Sequence, residues 1–319
     1  MNLLDLFSGI GGFHLGLERA GFKINSFNSE INKYANQVYK NNFKNSTYVG
    51  SVADVRGSDL PRINAITFGS PCQDFSLAGK QKGMGGERSS LILEAIRLVK
   101  ECRPDFFIWE NVKGTFSSNS GEDFAAILQA FTNIGGYRLE WQLLNTKWFL
   151  PQNRERVYLV GYTSNKSGGQ IFPITRESNG VIKNNKINIG SARTRKYMNQ
   201  AQKLEIRNDN STNTLTSVQK DNYVLGYSRD RKGKVVSRHK KKLANTLHAS
   251  SGSGNNTDQF INSIRKLTPL ECERLQGFPD DWTKFGTEGL ISNTQRYKMC
   301  GNAVTVDVVE AVGKQILKL

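Results

Sequence analysis

The chain has 319 residues, 37% of them hydrophobic, and a formal net charge of +16 at pH 7. That length is enough for a sizeable core and for two domains. The charge points to an anionic partner, nucleic acid or a membrane surface, and no apolar run approaches the ~20 residues of a membrane span.

The four cysteines, Cys72, Cys102, Cys272 and Cys300, form no close pair, and there are only three histidines. A zinc site is therefore not expected, and a reducing, cytoplasmic compartment is. The first strand candidate starts at Leu3, which leaves no room for a signal peptide.

Leu3 to Phe7 reads as a buried strand, Ser8-Gly9-Ile10-Gly11-Gly12 as a glycine turn, and Phe13 to Ala20 as a helix closed by Gly21. Strand, glycine turn and helix open a nucleotide-binding α/β unit. His14 stands where the dinucleotide fingerprint has its third glycine, which disfavours a pyrophosphate. Glu30 ends the next strand, Ile24 to Asn28, about 20 residues after Gly9, where such folds hold a ribose hydroxyl. An adenosine-type cofactor without a diphosphate fits, S-adenosylmethionine above all. A solvated carboxylate at a helix start is the alternative for Glu30.

Lys33 to Asn42 reads as a helix and Tyr48 to Gly50 as a short strand. Ala65 to Phe68 is a buried strand stopped by Gly69 and Pro71, and a stiff proline turn at a strand mouth suits Cys72 as a nucleophile. A buried structural thiol is the alternative. The following stretch has Gly79, Gly83, Gly85 and Gly86 around Lys80 and Lys82, which suits a basic loop closing over an anionic polymer. A helix is expected over Arg88 to Lys100, a strand over Phe106 to Trp109 leading into Glu110-Asn111-Val112, a helix over Phe124 to Ile134, and strands over Trp141 to Leu144 and Val157 to Val160. The alternation predicts a mostly parallel, doubly wound sheet. Gly9, Glu30, Cys72 and Glu110 would then gather on one rim, at the carboxyl ends of strands. Arg154 and Arg156 are two apart, so on extended chain they face one side. They could clamp a phosphate or a base oxygen, or simply form a solvated strand edge.

Residues 164–262 hold eighteen Lys and Arg against six Asp and Glu, so +12 of the +16 comes from one stretch. It has no Trp and only short β-like runs, such as Tyr223 to Leu225 and Lys234 to Val236. It reads as a basic insert with some order, or as a disordered basic linker. Ser250 to Thr257 is its candidate for base readout, because small residues approach base edges closely. Thr268 and Pro269 are candidate N-cap and first-turn residues of a helix ending near Gly277. Met299 to Val304 precedes a final helix that runs to Leu317.

The glycine turn, Pro71-Cys72-Gln73, Glu110-Asn111-Val112, Gln152 to Arg156, Leu267 to Trp282 and Gly301-Asn302-Ala303-Val304 follow one another over nearly the whole chain outside the insert. In that order they resemble the cytosine-5 DNA methyltransferase family of bacterial or phage modification type. The resemblance implies a Rossmann-like methyltransferase fold with a smaller, basic, β-rich target-recognition domain. The first domain would be 1–163 completed by 290–319, and the second 164–289. It implies that Cys72 adds to C6 of a flipped-out cytosine while Glu110 protonates N3, with Arg154 and Arg156 near the base and its phosphate. S-adenosylmethionine, leaving as S-adenosylhomocysteine, would be held by Phe7, Ser8, Gly9, Ile10, Gly11, Gly12, Glu30, Ile31, Ser51, Val52, Pro71, Leu91, Asn302 and Ala303. Gln73, Ser76, Lys80, Lys82 and Asn111 would contact DNA. The partner would be double-stranded DNA, bound by a monomer, with a cognate restriction endonuclease as a further candidate.

Two positions depart from the family pattern. Ser51 stands where an aspartate usually meets the adenine amino group, with Asp54 too far along to substitute, and Asp307 replaces a common proline. The RNA-modifying branch of the family and a non-enzymatic DNA-binding relative with a dead pocket are the competing readings.

Overall fold

The computed structural model describes residues 1–70, 90–163, 169–175, 211–215 and 264–319, together with short strands at 190–193, 205–206, 223–225, 228–229 and 235–237. Pro71, Cys72, Gln73, Ser76, Lys80, Lys82 and the Ser250 to Thr257 candidate lie outside the described residues.

The N-terminal half alternates as expected from its apolar runs and turn residues. β1 (Asn2–Leu6), α1 (Gly12–Ala20), β2 (Asn25–Ser29), α2 (Lys33–Asn42), β3 (Thr47–Tyr48) and β4 (Ala65–Phe68) follow one another. α3 (Ser90–Cys102), β5 (Phe106–Val112) and α4 (Glu122–Ile134) continue the pattern. Gly21 caps α1 at φ 117°, a left-handed position that suits glycine. The Asn32 side chain caps α2 by accepting from the Tyr34 and Ala35 N–H groups.

β6 (Tyr137–Asn145), β7 (Gln152–Asn153) and β8 (Glu155–Thr163) complete the first half. The main sheet has seven strands in the order β3-β2-β1-β4-β5-β8-β6. All pairs are parallel except those of β8, which runs antiparallel between β5 and β6. Residues 146–154 are too few for the crossover of a dozen or more residues that a parallel neighbour needs, so β8 returns beside β6 as a hairpin partner.

Both faces of the central strands are covered, which explains why β4, β5 and β8 read as apolar runs. On β5, Phe107 and Trp109 pack with α3 and α4, while Phe106 and Ile108 pack with α1 and the C-terminal α7 (Val306–Ile316).

Strands β9 (Gly190–Arg193), β10 (Glu205–Ile206) and β12 (Tyr223–Leu225) of the insert and β15 (Ile264–Lys266), just after it, form an antiparallel sheet in the order β10-β9-β12-β15. β13 (Ser228–Arg229) and β14 (Val235–Ser237) make a separate pair. The smaller unit is thus β-rich where it is described. β11 (Thr212–Asn213) instead leaves the insert to pair with β7.

α5 (Pro269–Leu275) starts at a complete capping box, in which Thr268 Oγ1 accepts from the Glu271 N–H and Glu271 Oε2 from the Thr268 N–H. The β16 (Phe285–Gly286) and β17 (Gly289–Leu290) hairpin follows, then α6 (Asn293–Asn302). Sequence reading treated Met299 to Asn302 as chain leading to the last helix, whereas in the structure these residues are the end of α6. Residues 278–289, assigned on sequence to the smaller domain, pack against residues of the first. Phe278 and Ile291 share a core with Ile10, Ala35 and Val38, and Trp282 Nε1 donates to the Ile10 carbonyl at 2.9 Å. Among the described residues no helix is long and apolar enough to cross a membrane, and no three metal-ligating side chains converge.

Candidate active site

A cavity of about 560 Å³ opens at the carboxyl ends of β1, β2, β4 and β5. It is lined by Phe7, Gly9, Glu30, Ile31, Ser51, Val52, Leu91, Glu110, Asn111, Arg154, Arg156, Asn302 and Ala303 of the sequence candidates. Ser8, Ile10, Gly11 and Gly12 lie beside it rather than on its wall. Ile10 is buried in the core under α2, and Gly12 packs so closely on Val304 that an added Cβ would meet its Cγ2 at 2.6 Å. Gly11 takes φ 85° as the N-cap of α1, and a Cβ there would strike the Phe43 ring.

The chain leaves β1 through Phe7 at φ 51°, a left-handed conformation that costs a non-glycine residue about 1–3 kcal/mol and clusters at functional sites. The turn is pinned by Glu30, whose Oε2 accepts from the Gly9 N–H at 2.9 Å and Oε1 from the Asn32 N–H at 2.7 Å. Burial pushes the Glu30 carboxyl up, and these backbone N–H groups oppose the shift. Glu30 is thus a structural strut facing the cavity, not a solvated helix-start carboxylate.

At the other end stand Glu110, Arg154 and Arg156. The β5–β8 register pairs Val112 with Arg156 and Glu110 with Tyr158, so Arg156 lies diagonally across from Glu110 on one face. Arg156 Nε is 3.1 Å and Arg154 Nη2 4.0 Å from Glu110 Oε1. That oxygen accepts no hydrogen bond among the described residues. Gly69 at the end of β4 permits the close approach: a Cβ there would sit 3.2 Å from Glu110 Oε2.

Arg154 is only 3% exposed, which rules out a solvated strand edge. Its guanidinium donates to the carbonyls of Ala303 at 2.8 Å and Gly301 at 3.4 Å. Burial, and then the neighbouring Arg156 charge, pull Arg154 down to about 9, with Glu110 opposing.

Asn111 is buried and reaches back to β4. Its Nδ2 lies 3.3 Å from both the carbonyl and Oγ of Ser70, whose Oγ also accepts from Trp109 Nε1 at 3.1 Å. β5 therefore fixes the last described residue before Pro71-Cys72.

Ser51 lines the cavity, its Oγ 3.4 Å from the Ala53 N–H, while Asp54 is exposed and off the wall. The wall also includes Ser29, Gly69, Ser70, Lys298, Met299 and Gly301, which sequence reading did not name as site residues. Of these, Gly69 and Ser70 had a signal, since they separate the β4 run from Pro71-Cys72. Lys298 and Met299 had none, because the helix that carries them was not foreseen.

The sequence matches the C-5 cytosine-specific DNA methylase family over residues 1–318. The chain belongs to that family. It is therefore a DNA (cytosine-5-)-methyltransferase, and its substrate is DNA. It is 31% identical to the Type II methyltransferase M.Bsp6I of Bacillus sp. (strain RFL6), over 100% of this chain and 99% of that protein. It is 32% identical to the Type II methyltransferase M.HaeII of Haemophilus aegyptius, over 98% of this chain and 92% of that one. In fold it is similar to the S. pombe Dnmt2 methyltransferase, with a TM-score of 0.66 at 21% identity over 100% of this chain and 98% of the other. A methyltransferase reading suits the two ends of the cavity, a glycine turn at one and a carboxylate with two guanidiniums at the other.

Proposed function

We propose that this methyltransferase is site-specific, acts with S-adenosylmethionine, and belongs to a Type II modification or phage-protection system. The observation that carries the reading is that Glu110, Arg154 and Arg156 share one cavity with the Phe7–Gly9 turn and Glu30. Relatives named Type II methyltransferases align along almost all of this chain.

The cavity suits an adenosyl group. Its volume lies in the roughly 300–1,000 Å³ range of small-molecule sites. Phe7, Ile31, Val52 and Leu91 supply apolar wall, and Glu30 keeps lone pairs for ribose hydroxyls. Gly9, Ser51, Asn302 and Ala303 would complete the holding set. S-adenosylmethionine bound there supplies an electrophilic methyl on sulfur and leaves as S-adenosylhomocysteine.

Cytosine C5 is a poor nucleophile, and the protein's task is to activate it. Cys72 as thiolate adds to C6, and N3 takes a proton from Glu110, which gives C5 enamine character. Glu110 suits this role better than Glu30, because both Glu30 oxygens already accept backbone N–H groups. Arg156 orients the Glu110 carboxyl. Arg154 holds the Gly301–Ala303 wall, so the two arginines have different partners at the same end of the cavity. Asn111, read on sequence as a DNA contact, acts here by holding the chain that enters Pro71-Cys72. Loss of the C5 proton, expulsion of Cys72 and return of the N3 proton to Glu110 release 5-methylcytosine.

The basic insert would be the target-recognition domain, bound to DNA phosphates by its +12 charge. A tritiated-methyl assay on duplex DNA and on tRNA tests the activity: label in DNA is expected, and label in tRNA alone would overturn the reading. Replacing 164–262 with the matching region of a relative is expected to change which cytosines are methylated, read by bisulfite sequencing, with the chemistry retained. An active chimaera that keeps the original site would remove the insert from target recognition.

A further inference from the structure

Three parts of the chain meet at the side-chain amide of Gln152, which has no exposure to solvent. Its Oε1 accepts from the Leu215 N–H at 2.9 Å, and its Nε2 donates to the Leu275 carbonyl at 2.7 Å and to Gln276 Oε1 at 3.4 Å. Leu215 belongs to the insert, whose strand β11 pairs with β7 in the register Thr212 to Gln152. Thr214 Oγ1 adds a hydrogen bond of 2.8 Å to the Asn153 carbonyl.

The connections continue from there. Gln276 is also fully buried; its Nε2 donates to the Cys300 carbonyl at 2.7 Å and its Oε1 accepts from Thr305 Oγ1 at 3.1 Å. Thr305 Oγ1 lies 2.8 Å from Thr146 Oγ1, and the Thr146 N–H donates to the Arg154 carbonyl at 2.9 Å. The Arg154 guanidinium returns to the carbonyls of Gly301 and Ala303. The circuit runs from the insert, through Gln152, to the cation beside Glu110 and to the cavity wall.

We propose that Gln152 is a positioning residue that couples the seating of the insert to the catalytic end of the cavity, so that target discrimination depends on it. The inference rests on the reading of the insert as the part that engages DNA. Glutamine suits the position because one planar group offers an acceptor to Leu215 and a donor to Leu275. Each bond that is lost leaves a buried backbone group unpaired, which is costly in a way that an exposed contact is not. A shift of 211–215 on an off-target sequence would therefore be felt at Arg154 rather than absorbed locally.

Gln152→Met keeps the volume and removes all three side-chain hydrogen bonds. Thr214→Val removes one bond from the same insert segment at a half-buried position, and it carries the test alone if Gln152→Met does not fold. The substrate is a duplex with the cognate site and a singly mismatched site, read by bisulfite sequencing. The ratio of mismatched to cognate methylation does not depend on how much of the protein is active, so loss of folded enzyme leaves it unchanged. It is expected to rise about tenfold in Gln152→Met and about threefold in Thr214→Val, the scale of one lost buried hydrogen bond or one mismatch. A ratio within about twofold of the wild-type value in the folded variants would overturn the proposal. The insert exchange separates the two ideas. If the exchange moves the methylated site and the ratio stays fixed, this inference fails and the recognition role of the insert stands.

Discussion

Cys72→Ser is expected to reduce methyl transfer to background while leaving the thermal unfolding of the protein near that of the wild type. Sulfur as thiolate is intrinsically far more nucleophilic than a serine hydroxyl at neutral pH, so the substitution removes the proposed nucleophile while changing one atom. Ser70 is held by Trp109 and Asn111 from β5, and Pro71 follows with its own φ fixed. Duplex DNA carrying 5-fluorocytosine at the target should trap the wild-type protein covalently, because fluorine does not leave C5 as a proton does. The Cys72→Ser protein should give no trapped species. Equal trapping by the variant would show that another residue adds to C6.

The sequence displayed most of the first domain because its signals are local. The run Leu3 to Phe7, the glycines after it and the spacing to Glu30 need no knowledge of the rest of the chain. The N-cap at Thr268 was visible for the same reason. What was hidden depends on strand direction and on buried polar pairing. Nothing in Val157 to Val160 says that β8 runs antiparallel between β5 and β6, yet that direction carries Arg156 to Glu110. Arg154 looked like a surface cation because arginine is rarely so buried, and only the fold reveals the carbonyls that accept from it. The helix α6 escaped notice because it does not present a clean apolar stripe. Arg296 is buried on it, paired with Glu273 at 2.8 Å and donating to Thr283, next to buried Tyr297. A polar residue on the inner face breaks the periodic pattern that would have marked the helix.

Glu110→Gln is expected to lower turnover about 10²- to 10⁴-fold, the usual worth of a positioned general acid. Glutamine has nearly the same shape but cannot give up a proton to N3 or take it back. It also removes the negative charge that faces Arg156 at 3.1 Å and Arg154 at 4.0 Å, with the Glu110 side chain only 10% exposed. Breaking a buried pair from one side costs on the order of 3–5 kcal/mol, so some loss of stability should accompany the loss of rate. The two effects are separable. Lost folding reduces the amount of active enzyme, whereas lost proton transfer lowers the rate of every folded molecule in a single turnover with DNA and methyl donor prebound. Donor affinity should stay within a few-fold of wild type, because Glu30 and the Phe7–Gly9 turn lie at the other end of the cavity. Single-turnover rates within a few-fold of wild type would remove Glu110 from the chemistry and leave it as the counter-charge of the two arginines.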